Sequence, residues 1–168
     1  LHQHAARTDG RRTRVLATAV DRHRRGVQLL IEGTVARAGR STVYSLFREQ
    51  ARWRPAAPAV ECGGRRWTYG ELADAVDAVS AGLRRNGVQC GDRIAVLAEN
   101  RIEYTLLQLA AARVGAIVAC LNWRLAAGEL GHCVGLAAPK LLFASSRHMA
   151  LAAGLTATAA TLVPIDEG

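Results

Sequence analysis

From Asp92 onward, short apolar runs take turns with longer segments of helical periodicity. Ile94 to Leu97, Ala116 to Leu121, Lys140 to Ala144 and Thr161 to Ile165 have the length and branching of strands. The segments between them, Arg101 to Val114, Ala126 to Ala138 and Ser146 to Ala153, read as helices. Strands joined through crossovers of a dozen or more residues pair in parallel, and a parallel sheet needs helices on its faces. The expected fold class is therefore α/β: a partial three-layer α/β/α arrangement with a mainly parallel sheet. The run at Ala116–Leu121 reads as a fully buried strand, ending abruptly on Asn122, Trp123 and Arg124.

Upstream of this alternation, the sequence predicts an amphipathic helix and a β-hairpin. In "STVYSLFREQARWRP", Val43, Leu46, Phe47 and Ala51 share one helical face, with Ser41 or Thr42 as N-cap and Pro55 just past the stop. Gly63 and Gly64 separate "AVEC" from "RRWTY", a two-residue loop able to supply the positive φ of a tight hairpin. Thr68 stands three residues before Glu71, the spacing of a capping box. Leu72, Val76, Val79 and Leu83 then line one face of a helix that Gly87 stops. Asn100 and Glu103 are the candidate caps of the helix over 101–114, which is expected to bury Tyr104, Leu107 and Ala111.

Charge divides the chain differently. The net charge is +8, but residues 1–40 hold nine Arg against Asp9, Asp21 and Glu32, while residues 41–168 hold 13 basic against 11 acidic side chains. Basicity is a property of the first 40 residues, which read as a leader, helical or disordered, preceding a domain over 41–168. An arginine-rich arm for nucleic acid or a targeting presequence is the functional alternative; a solvated leader is preferred, because a charge run alone is a weak motif. His2 and His4 have no further ligand at metal-binding spacing. Cys62, Cys90, Cys120 and Cys133 form no CxxC pair, and two of them lie inside apolar runs, so reduced thiols acting as small hydrophobes in a cytosolic setting are expected. The longest uncharged stretch, Met149 to Ile165, holds Gly154 and Pro164 and is too short to span a bilayer. The first residue is Leu and the last segment, "LVPIDEG", is turn-like, so both ends are expected to be open.

Catalytic signatures are scarce. There is no GxGxxG fingerprint and no glycine-rich phosphate loop with a lysine; Lys140 opens an apolar strand and reads as a strand-edge residue. No GxSxG elbow occurs, and Ser145 or Ser146 lies too near His148 in sequence to suggest a triad. His132 and Cys133, adjacent on a helix, point apart.

The order of the segments adds what no single one carries. "WTYGEL", "GVQCGDRIAVLAEN" and "ARVGAIVACLNWRL" occur in this order, and from about Ser41 to Gly168 the chain resembles the N-terminal part of the AMP-forming acyl-CoA synthetases, in the adenylate-forming superfamily. "WTYGEL" is similar to that superfamily's first core motif and "ARVGAIVACLNWRL" to its second. The resemblance implies an acid-CoA ligase: a carboxylic acid, fatty in the first instance, is joined to the α-phosphate of ATP with Mg²⁺, then passed from AMP to coenzyme A. It also implies that the phosphate-binding loop, the later acidic and arginine motifs and a mobile C-terminal domain lie beyond Gly168. On that reading the chain is a leading fragment, inactive alone, binding no cofactor itself and able to associate with a missing remainder. Asn122, Trp123 and Arg124 fall at a strand's carboxyl end, where ligands gather in doubly wound sheets. The preferred structural alternative is that Asn122 caps the turn, Trp123 packs and Arg124 pairs with a nearby acid or carbonyl. Residues 1–40 and the glycine-laden "AAGELGHCVGLAA" depart from the family pattern.

Overall fold

The computed structural model describes residues 25–36, 39, 41–155 and 160–165. The readings made on residues 1–24, His2 and His4 included, and on the tail at 166–168 lie outside the described residues. The chain divides into two units, residues 1–41 and Thr42–Gly168. Of the first unit, the helix α1 at 25–36 is described; it exposes Val27, Leu29, Leu30, Ile31 and Val35, and Gln28 bonds Glu32 one turn on.

The second unit begins with α2 (Val43–Trp53), whose N-cap is Thr42 in a reciprocal capping box with Ser45. Phe47 and Ala51 are buried, but Val43 and Leu46 are 69% and 53% exposed, so the helix buries a narrower stripe than its sequence periodicity suggests. The hairpin follows as expected: β1 (Pro58–Cys62) pairs antiparallel with β2 (Arg65–Thr68) around Gly63 and Gly64, both at positive φ. Thr68 caps α3 (Tyr69–Arg85): its hydroxyl accepts from the Glu71 amide at 3.2 Å, while its own amide donates to the Glu71 carboxylate at 2.8 Å. Leu72, Val76 and Leu83 are buried, and the chain leaves the helix through Gly87 at φ +73°.

Four parallel strands follow, β3 (Arg93–Leu97), β4 (Ile117–Cys120), β5 (Leu141–Ser145) and β6 (Thr161–Ile165), in the spatial order β4-β3-β5-β6. They are connected by α4 (Ile102–Val114), α5 (Ala127–Ala137) and, after a short 3₁₀ turn at Ser146–His148, α6 (Met149–Leu155). Side chains alternate across the sheet, as strand geometry requires. Ile94, Val96 and Leu141 join α2, α3 and α4 in one apolar cluster; Ala95, Leu97, Leu142 and Ala144 join Leu130 and Val134 of α5 and Ala152 and Leu155 of α6 in another. The two clusters are the two interfaces of an α/β/α sandwich.

Strand order corrects the reading of Ala116–Leu121. β4 is an edge strand with Ile117 55% exposed, not a fully buried one. An apolar run reports β propensity, whereas burial on both faces depends on neighbours the run does not name. β6 is the other edge, which is where Pro164, lacking an amide proton, is tolerated. The caps expected for α4 also differ: Arg101 is its N-cap residue, without a side-chain cap bond, and Glu103 instead holds Arg101 Nε at 2.7 Å. Tyr104 is half-buried while Leu106, Leu107, Leu109, Ala110 and Ala111 are buried, because α4 is packed on more than one side.

The topology fixes where the sheet opens. From β3 the chain passes to β4 on one side, and from β5 to β6 on the other; α4 covers one face and α6 the opposite face. The connections therefore diverge between β3 and β5, the position at which open α/β sheets form a crevice at their carboxyl ends.

Candidate functional site at the carboxyl edge of the sheet

Three polar residues meet where β3 and β5 end. Glu99 follows β3, Ser145 is the last residue of β5, and His148 closes the 3₁₀ turn. Ser145 Oγ lies 2.9 Å from Glu99 Oε2 and 2.9 Å from His148 Nδ1. Glu99 Oε1 is 3.6 Å from both His148 Nδ1 and Arg147 Nη1. Ser145 is 1% exposed and His148 7%, so two polar side chains sit inside the carboxyl edge with their partners supplied. The Glu99 carboxyl is held below the usual carboxylate range, first by its own backbone amide, then by the Ser145 hydroxyl and by the nearby His148 and Arg147, against the opposing effect of burial.

The sequence-predicted trio Asn122, Trp123 and Arg124 borders this cluster. Asn122 is exposed and closes the turn: its Oδ1 accepts from the Arg124 amide at 3.1 Å, and its carbonyl from the Leu125 amide at 3.0 Å. Trp123 packs into the second apolar cluster, its ring centroid 5.7 Å from that of His148. Among the described residues the Arg124 side chain meets no acid or carbonyl, unlike the expected pairing. Its guanidinium lies 4.6 Å over the Trp123 ring, and that of Arg147 lies 5.6 Å from the same ring. The site is thus a partly exposed carboxylate hydrogen-bonded to a buried serine and histidine, beside a half-buried indole flanked by two cations.

This is not a nucleophilic triad. In a triad the imidazole bridges acid and hydroxyl through opposite nitrogens. Here both oxygens face the same nitrogen, Nδ1, and Ser145 is buried. Lys140, at the other end of β5, bonds the Gly87 carbonyl and lies 3.1 Å from Asp92, tying two turns together at the amino edge of the sheet. All four cysteines are free, as expected, and Cys133 packs against the second apolar cluster; Cys90 and Cys120 are exposed and so do not act as buried hydrophobes. Cys120 ends the edge strand beside Gln108 and Tyr104, whose phenol is pushed up by burial and then by its bond to Cys120.

Among the described residues, every buried side-chain nitrogen and oxygen is already partnered, and no three His, Cys, Asp or Glu side chains gather at metal-binding separation. A triphosphate with Mg²⁺ needs several convergent donors and carboxylate ligands. The described residues do not by themselves fit that requirement, and no reaction step is assigned to them through ATP, Mg²⁺ or coenzyme A. Among the described residues no helix is long and apolar enough to cross a membrane.

Sequence reasoning missed Glu99, Ser145 and His148 as a group. The available signal was that Glu99 and Ser145 each terminate an apolar run, since parallel strands bring their last residues to a common edge.

Comparison with known proteins places the architecture. Residues 47–166 match the model of a family described as AMP-binding enzyme. A feruloyl-CoA synthase of Amycolatopsis is 36% identical over 118 residues, 70% of this chain and 24% of the relative. An acyl-CoA ligase, sidI, of Aspergillus fumigatus is 44% identical over 84 residues, 50% of this chain and 14% of the relative. Among solved structures, a Rhodopseudomonas palustris protein assigned as a long-chain-fatty-acid CoA ligase superposes with a TM-score of 0.72 at 30% identity, covering 76% of this chain and 33% of that one. The chain spans about a quarter or less of the length of these curated relatives. On the match over residues 47–166, with the parallel sheet that carries it, the chain belongs to the AMP-binding enzyme family and is similar to part of its acyl-CoA ligases.

Proposed function

We propose that this chain supplies the first sheet-and-helix layer of an ATP-dependent acid-CoA ligase. That enzyme would activate a carboxylic acid, fatty or aromatic, as its acyl adenylate and pass the acyl group to coenzyme A. The observation that carries the reading is the family match across residues 47–166, which contain every strand of the parallel sheet. The names of the relatives, a feruloyl-CoA synthase and an acyl-CoA ligase, support the substrate class.

On this reading the described residues contribute scaffold and one wall of the carboxyl edge, and the residues that grip phosphate and Mg²⁺ belong to other parts of the enzyme. The chain alone is then inactive and works by association. The test is carboxylate-dependent ATP–pyrophosphate exchange with ferulate and a long-chain fatty acid. No exchange is expected from the purified chain. Exchange is expected when it is co-expressed with the Amycolatopsis feruloyl-CoA synthase lacking its matched segment. Exchange by the chain alone, or none from the pair, overturns the reading.

A further inference from the structure

α1 lies wholly upstream of residues 47–166, which are shared with the family, and every residue of this helix is exposed. At about 100° per residue, Leu30, Thr34, Val27, Ile31 and Val35 fall within an arc of roughly 140°, a stripe along one side of the helix. These five side chains line one shallow groove. Leu30 is 72% exposed and Val35 65%, so water reaches the stripe along its length. Thr34 does not interrupt it, because its hydroxyl donates to the Leu30 carbonyl at 2.8 Å and so spends its polar hydrogen within the helix. Arg25, Gln28 and Glu32 take the opposite side, where Gln28 bonds Glu32. Leu29, also exposed, falls outside the stripe.

Charge decides what covers such a stripe. Within α1, Arg25 and Glu32 cancel, but Arg22 and Arg24 precede the helix in sequence, Arg37 and Arg40 follow it, and residues 1–40 carry nine Arg against three acids. A second copy would match the apolar stripe but bring two arginine-rich segments together, which like-charge repulsion opposes. A nucleic acid would neutralise the arginines and leave the aliphatic side chains in water. An anionic bilayer surface meets both needs, since aliphatic side chains enter the boundary between headgroups and acyl chains while guanidinium groups sit among the phosphates. We propose that α1 is an interfacial helix that lays Val27, Leu30, Ile31 and Val35 on an anionic phospholipid surface, with arginines at both ends holding the headgroups. The helix lies on the bilayer and does not cross it: at 1.5 Å per residue it is roughly 18 Å long, against a hydrocarbon core of about 30 Å. The proposal is independent of the ligase reading.

Co-sedimentation of the full chain with vesicles is the test. The chain is expected to pellet with mixed phosphatidylglycerol and phosphatidylcholine vesicles and to stay in solution with phosphatidylcholine alone; equal pelleting with both overturns the anionic-surface assignment. Leu30→Gln retains helix propensity and removes one aliphatic side chain from the stripe, so partitioning is expected to fall about tenfold. Leu29→Gln makes the same change outside the stripe and is expected to stay within about twofold of wild type. Equal losses from the two variants, or unchanged binding by Leu30→Gln, overturn the proposal. Arg24→Gln combined with Arg37→Gln is expected to weaken binding to the mixed vesicles several-fold, and no loss overturns the role given to the arginines. Two other results also overturn it. Binding to duplex DNA that the double arginine variant loses, with no binding to either vesicle, assigns the segment to nucleic acid. A lipid-free dimer in sedimentation velocity that Leu30→Gln dissociates assigns the stripe to a second copy.

Discussion

Replacing Glu99 by Gln removes the charge from the β3–β5 junction while keeping its shape. Gln can still accept from the Ser145 hydroxyl, 2.9 Å from the carboxylate, so the loss falls on the charged bond to the Glu99 backbone amide and on the attraction to Arg147, 3.6 Å away. Hydrogen bonds to charged groups contribute about 1.5–3 kcal/mol, and a third of the Glu99 side chain is exposed, so screening places the expected loss nearer ~1–2 kcal/mol. For a domain of this size that lowers Tm by roughly 3–6 °C. The pH dependence follows from the depressed folded-state carboxyl. Between its folded and unfolded values the unfolded chain binds more protons, so the contribution is complete above the unfolded value of about 4.3 and disappears as pH falls through the folded value. Glu71 and Asp92 are depressed in the same direction but remain in both proteins, so the difference isolates Glu99. Urea unfolding of wild type and Glu99→Gln from neutral pH into acid is the assay. The expected result is a deficit at pH 7 that closes on acidification. Equal stability at neutral pH, or a deficit that persists unchanged in acid, refutes the reasoning.

Two further substitutions test local claims. Gly115 ends α4 at φ +83°, and a Cβ there would stand 2.8 Å from Cys90 Sγ. Gly115→Ala is expected to cost ~1–2 kcal/mol for the left-handed backbone and a further ~1–3 kcal/mol for overpacking, and adding Cys90→Ala should recover the second part only; a double mutant no more stable than Gly115→Ala shows that Cys90 is not the obstacle. Thr68→Ala, which removes the cap of α3, is expected to cost about 1 kcal/mol by urea unfolding. A change within error there means that tertiary packing, not the cap, sets the start of α3.

Much of this fold was legible because it is encoded locally. The Thr68–Glu71 box, the Gly63–Gly64 turn and the run at Thr161–Ile165 each carry their information within a few residues, and each appears where the sequence placed it. Alternation of strand and helix was enough to imply a parallel, helix-covered sheet. What the sequence withheld was strand order. Whether Ala116–Leu121 is central or at an edge, and whether Val43 and Leu46 find a neighbour, depends on which elements lie beside them. The candidate site failed to show for the same reason. Glu99 and Ser145 are 46 positions apart and meet only because β3 and β5 are adjacent and parallel. Asn122 to Arg124 were visible as an abrupt end to an apolar run, but their neighbours Arg147 and His148 were not.

The account rests on β3 and β5 lying side by side in parallel, so that their carboxyl ends form one edge. Cross-strand nuclear Overhauser contacts in the labelled chain measure this most directly. Ile94 is expected beside Leu141 and Leu97 beside Ala144. Contacts pairing Ile94 with Ala144 and Leu97 with Leu141 would make the strands antiparallel, separate Glu99 from Ser145, and remove both the crevice and the family scaffold built on it.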